Sequence, residues 1–336
     1  MSDLVQQMFS GDRLALSRLI SQVESRSSEL MTIMSRVQER CGRAVKVGIT
    51  GPPGAGKSTL VDRLTAGYRS GNKKVGGIAV DPTSLFSGGA ILGDRIRTQD
   101  HAADDGVFIR SLGSRGYRGG ISRATREVAK LFDAFGMDRI LIETVGVGQT
   151  ELDIMEIADT TVVLLTPESG DTIQTLKAGI LEIADIFVVN KADRDGAAQI
   201  QAELKSMLEM GAKRSTWLPP VLLVSAFRSE GVDEVRTAIE KHAAYLKSAG
   251  EIRLKKKMIF VEEVREIVLE ELRGRIADVV SRDLSGALEG NPYALASKIL
   301  KKWEGNLWRP SKASIRRPAK SSARSPSRRK RKSAKR

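Results

Sequence analysis

Gly51, Gly54, Gly56, Lys57 and Ser58, within "GITGPPGAGKSTL" (residues 48 to 60), fill the pattern G-x-x-x-x-G-K-[ST]. Such a loop binds phosphate. Its glycines let backbone N–H groups wrap an anion, its lysine reaches the β and γ oxygens, and its serine hydroxyl is placed for Mg²⁺. Pro53, Ala55 and Thr59 complete the nucleotide-contacting stretch. A second segment, "NKAD" at Asn190 to Asp193, follows the apolar run "DIFVV". A carboxylate at Asp193 can accept from the N1–H and exocyclic amine of guanine, and adenine offers no such donor pair. Asn190 can bridge to the phosphate loop, the Lys191 stem can lie along the base plane, and a backbone N–H at Ser225 or Ala226 can reach the guanine O6. An unmatched buried acceptor is costly, so the pair of segments selects GTP over ATP.

The metal side is read from "RILIETVGVGQ". Glu143 closes an apolar strand where P-loop proteins place a metal-side acid, so it can hold Mg²⁺ directly or through water, and Gly146 can give an N–H to the γ-phosphate. Two further acids, Asp81 and Asp94, lie in "VDPTSLFSGGAILGDRIR". They are candidates for the metal shell and for orienting the attacking water. Lys177, Arg115 and Arg118 could supply positive charge to the transferred phosphoryl group.

These residues need a scaffold that gathers strand ends. Apolar runs at 44–49, 75–80, 107–109, 139–142, 161–165, 186–189 and 221–224 alternate with helix-compatible segments. That alternation predicts an α/β P-loop fold, a mostly parallel central sheet with helices on both faces and ligands at the carboxyl ends of the strands. Helical spacing in "RLALSRLISQVE" and "ELMTIMSRV" predicts two helices before the loop, and a long amphipathic helix is expected from 251 onward. The expected division is an N-terminal helical segment over 1–42, a nucleotide domain over 43–250, a helical arm over 251–308 and a basic tail over 309–336.

The net charge of +14 is concentrated at one end. Residues 311 to 336 hold twelve Lys/Arg and no acid, and removing those twelve from the 55 leaves 43 against 41 acidic residues. The body is nearly neutral. The Ser/Pro/Lys/Arg tail has too little apolar surface to fold and is expected to be disordered, attracting polyanions weakly at most. No apolar stretch predicts a membrane span and the N-terminus lacks the order of a signal peptide, so a cytoplasmic protein is expected. The single cysteine, Cys41, suits a reducing compartment, and His101 and His242 are too isolated for a metal site.

Several segments go beyond a generic GTPase: "AVDPTS", "GGAILGDRIR", "GGISRATRE", "ILIETVGVGQTE", "SGDTIQTLKAGILEIADIFVVNKAD" and "NPYALA". Together with the phosphate loop they closely resemble the MeaB/ArgK family of methylmalonyl-CoA mutase-associated GTPases, from about residue 5 to about residue 305. The resemblance implies a homodimeric G-protein chaperone that couples GTP hydrolysis to adenosylcobalamin loading and to protection or rescue of an acyl-CoA mutase. It implies that Asp81, Asp94 and Glu143 are the metal and switch acids. It further implies that Pro167 to Lys177 form a relay loop with Asp171, Gln174 and Lys177 as working residues, and that 251–305 form the dimerisation arm. Two other readings stand beside it. A metallocentre-assembly GTPase would want more Cys/His ligands than one Cys and two His supply. A GTPase whose basic tail binds nucleic acid would show tight binding that persists at physiological salt.

Overall fold

The computed structural model describes residues 3–81, 101, 103–113, 123–144, 154–168, 183–211, 217–248, 250–283 and 291–304. The chain divides into two compact units, residues 1–263 and 264–336.

Among the described residues, the first unit is built on seven parallel strands: β1 Val45–Thr50, β2 Val75–Asp81, β3 Val107–Gly113, β4 Arg139–Glu143, β5 Thr160–Leu165, β6 Ile186–Asn190 and β7 Val221–Val224. Their spatial order is β3-β2-β4-β1-β5-β6-β7. Every residue of β5 and β6 is buried, as expected for strands covered on both faces.

The helices of this unit are α1 Leu4–Phe9, α2 Arg13–Glu24, α3 Leu30–Gln38, α4 Lys57–Ser70, α5 Arg123–Phe135, α6 Ala197–Gly211 and α7 Val232–Ser248, with α8 Glu251–Asp283 beginning in it. Alternation along each strand divides the core between the two faces of the sheet. Ile140 and Ile142 join the cluster under α1, α2, α3 and α5, whereas Leu141 joins the cluster under α4 and α7. Among the described residues three helices precede β1, not two. The additional one, α1, has six residues, too few to display a period. It is set off by Gly11 at φ +93° and by the Asp12 N-cap, whose carboxylate accepts from the Leu14 and Ala15 N–H groups. Strand β3 also runs four residues past the apolar run expected to end at 109. Polar Arg110 and Ser111 interrupt that run, but pairing with β2 continues to Asp81↔Gly113.

The N-terminal helices are fastened to the sheet by buried polar contacts. Asp133 of α5, 2% exposed, accepts from the backbone N–H groups of Gly42, Arg43 and Ala44 at 2.6, 3.1 and 3.0 Å, fixing the entry into β1. Glu127 of the same helix pairs with Arg26 at 2.6 Å and Arg123 at 2.8 Å. In the second unit the described residues form the remainder of α8 and α9 Pro292–Glu304. Helix α9 starts on proline after Asn291, whose side chain caps the Tyr293 and Ala294 N–H groups.

Candidate nucleotide-binding site

Strand β1 lies between β4 and β5, so the loop that leaves it is flanked by the ends of both neighbours. Two glycines let that loop fit. At Gly51, φ is +140° and a Cβ would run into the Leu164 carbonyl; at Gly56, φ is +88° and a Cβ would run into the Asn190 side-chain amide. Both positions therefore need glycine for space as well as for backbone conformation. Helix α4 starts immediately after Gly56, so its first N–H groups face the loop's concavity, the arrangement that favours anions. Lys57 is 6% exposed, and its Nζ donates to the Gly51 and Pro52 carbonyls at 2.8 and 3.0 Å, which keeps the ammonium inside the curve of the loop. Pro53 and Gly54 are exposed at the tip, Ala55 is buried beneath it, and Thr59 sits in the first turn of α4.

Ser58 and Glu143 are brought together from positions 85 residues apart. The register Ile49↔Glu143 places Glu143 beside the end of β1, and the Ser58 hydroxyl donates to its Oε1 in a short contact. One position on, the buried Thr144 hydroxyl donates to Thr50 Oγ1 at 2.9 Å, tying the two strand ends. A hydroxyl and a carboxylate are hard oxygen donors, and magnesium usually takes few protein ligands and keeps several waters, so this pair fits it. Among the described residues no cluster of three or more His, Cys, Asp or Glu forms another metal centre. Asp81 ends β2, two residues beyond Ala79, the register partner of Glu143. The side chain of Asp81, together with Asp94, Gly146, Asp171, Gln174, Lys177, Arg115 and Arg118, lies outside the described residues, as does the basic tail.

The base side is assembled around one buried amide. Asn190, 3% exposed, donates from Nδ2 to the Ala55 carbonyl at 2.7 Å and accepts at Oδ1 from the Ala226 N–H at 3.0 Å. A single side chain thus ties the phosphate loop to the turns after β6 and β7. Asp193 accepts at Oδ1 from the Ser225 hydroxyl at 2.8 Å, with Arg228 at 3.8 Å from its other oxygen. The Ser225 N–H donates to the Glu230 carbonyl at 3.0 Å, so this residue bears on the base side through its hydroxyl. That hydroxyl, chief among the influences, holds the Asp193 carboxyl below its ordinary value. Lys191 adopts φ +57°, and its ammonium meets Glu168 at 2.6 Å. Lys57, Glu143 and Asp193 therefore belong to one row of strand-end loops, on β1, β4 and β6.

Two pairings in this region are not legible in the sequence. His101 Nε2 lies 3.2 Å from Asp62 Oδ1, and both border a pocket that also touches Ser58 and Glu143. The one available signal is the spacing of Asp62 four residues after Ser58, which puts both on one helix face. Nothing within the Pro167–Lys177 segment singles out Glu168, because it reaches Lys191 only through the adjacency of β5 and β6. His242 is buried between Thr160 at 2.9 Å and Asp185 at 3.3 Å, at the opposite end of the strands. The Cys41 thiol is pushed up to about 11, chiefly by burial and then by Asp133, so it is protonated and unreactive at neutral pH.

A family model described as methylmalonyl Co-A mutase-associated GTPase MeaB matches residues 16–280. A Pyrococcus horikoshii protein assigned as a GTPase is 44% identical over 313 residues, covering 90% of this chain and 98% of its own. GTPase ArgK of Escherichia coli is 34% identical over 281 residues, covering 81% and 85%. The mitochondrial methylmalonic aciduria type A homolog of Mus musculus is 35% identical over 322 residues, covering 88% and 77%. A crystal structure of a LAO/AO transport system kinase superposes with a TM-score of 0.68 at 27% identity, covering 91% of this chain and 92% of that one. Among the described residues no helix is long and apolar enough to cross a membrane. With the phosphate loop, the parallel sheet and a family match over most of the chain in agreement, the protein belongs to the MeaB family of mutase-associated GTPases and is a P-loop GTPase.

Proposed function

We propose that the protein is a GTP-hydrolysing chaperone that gates adenosylcobalamin loading and protects or reactivates an acyl-CoA mutase of the methylmalonyl-CoA mutase type. The nucleotide half of this reading is supported above all by Asn190, whose amide links the phosphate loop to both base-side turns. In it the N–H groups of Gly54 to Thr59 and the Lys57 ammonium bind the β- and γ-phosphates. Asp193, held by the Ser225 hydroxyl, reads the guanine edge, and the Ala226 N–H, shared with Asn190, reaches the guanine O6. Ser58 and Glu143, with Asp81 and Asp94, would hold Mg²⁺, which when bound offsets the charge that develops on the transferred phosphoryl group. Gly146 would donate to the γ-phosphate.

The mutase half rests on the family description and on the relative named for methylmalonic aciduria. In this reading Asp171, Gln174 and Lys177 relay between mutase and nucleotide, residues 251–308 form the arm of a homodimer, and the tail over 309–336 adds at most weak polyanion binding. Exposed apolar residues of α8, among them Leu254, Met258 and Val261, suit an arm that meets another surface. The body, 1–42 with 43–250, acts as the timed switch. A lone cysteine held as a thiol suits a cytoplasmic setting.

GTP turnover by the full chain, measured with and without purified methylmalonyl-CoA mutase, tests the reading. Stimulation by the mutase that is lost in Lys177→Ala, with resting GTP affinity kept, is the expected result. Equal stimulation of wild type and variant would remove Lys177 from the relay, and no stimulation of either would remove the mutase.

A further inference from the structure

We infer that Glu168 is a positioning residue for guanine recognition, holding the Lys191 ammonium so that the lysine stem is set in advance across the face of the base. The inference rests on the guanine reading above and extends it to a residue outside both sequence motifs. Strands β5 and β6 are adjacent and parallel, with Leu165 opposite Val189, so the turns that leave them emerge side by side. Glu168 lies three residues beyond Leu165 and Lys191 two beyond Val189, and their charged ends meet at 2.6 Å.

Three further observations make this more than a chance surface pair. Lys191 is held at φ +57°, a conformation uncommon for a residue with a side chain, so the direction in which its stem leaves the backbone is constrained. Arg194, from the same base-side turn, also lies against Glu168, so a second cation stands beside the carboxylate. Pro167 stands where a Cβ at Gly196 would touch it, which brings the turn after β5 against the far end of the turn after β6.

Glu168 and Lys191 are 44% and 27% exposed, and ion pairs of that exposure add little to folding stability. Their effect on a ligand is different in kind. A lysine stem is free to adopt many rotamers, and fixing it before the base arrives removes part of the ordering cost of binding. Removing the carboxylate should therefore leave the fold untouched and weaken guanine nucleotide binding.

The test is fluorescence titration of the full chain with mant-GDP and Mg²⁺, using wild type, Glu168→Gln, Lys191→Met and the double variant. Methionine keeps an unbranched stem and removes the ammonium. Glu168→Gln should bind mant-GDP about two- to five-fold more weakly, mainly through faster dissociation, with an unchanged melting temperature. It should have no effect in the Lys191→Met background. Unchanged affinity in Glu168→Gln, or the same loss with and without the lysine ammonium, would overturn the inference. Mant-ADP binding to wild type as tightly as mant-GDP would instead overturn the guanine reading beneath it.

Discussion

In the proposed function Asp193 carries the choice of base, and the Ser225 hydroxyl already holds its carboxylate. That hydroxyl, first among the influences on it, lowers its carboxyl below the ordinary value. A group shifted downward contributes its interaction above its unperturbed value and loses it only as pH falls through the lowered one. Preference for GDP over ADP should accordingly stay level from about pH 8 to about pH 5, and a decline beginning near pH 6 would implicate another group. Asp193→Asn should cost roughly 100-fold in guanine affinity and admit xanthine nucleotides, measured by competition against mant-GDP. At this scale the sequence is most informative where chemistry demands a fixed local order. Residues 51 to 58 and 190 to 193 carry their spacing in the chain, whereas the Ser58–Glu143, Asp62–His101 and Glu168–Lys191 contacts exist only once strands are ordered in space.

Among the elements, the strands are legible because a parallel strand buried on both faces must be an apolar run, as in "TTVVLL" and "IFVVN". Where polar residues enter a strand, as at Arg110 and Ser111, the run ends before the strand does. Short α1 leaves no periodic signal because six residues hold less than two helical turns. The attachment of these helices to the sheet is equally hidden. Asp133 takes three backbone N–H groups at the entry to β1, and nothing in "KLFDAF" distinguishes it from a solvated helix acid. Asp133→Ala would leave those donors without their acceptor in a buried setting, and a loss of about 3 kcal/mol in urea unfolding is expected. A change below about 0.5 kcal/mol would mean that water replaces the carboxylate.

For the whole molecule, the order β3-β2-β4-β1-β5-β6-β7 makes one site out of residues that are far apart in the chain. In the proposed function, phosphate, metal and base contacts come from loops on β1, β4, β6 and β7, so binding one nucleotide would engage four strand ends at once. The family match spans residues 16–280 and so takes in the whole sheet, while the strongly basic tail lies beyond it. The central claim is that each chain holds a single magnesium–guanine nucleotide at this row of loops. Isothermal titration calorimetry of the full chain with GDP and then ADP, in Mg²⁺, tests it most directly. One GDP per chain, no measurable heat from ADP and no GDP binding by Lys57→Ala are predicted; equal binding of ADP and GDP, or GDP binding that survives Lys57→Ala, would contradict it.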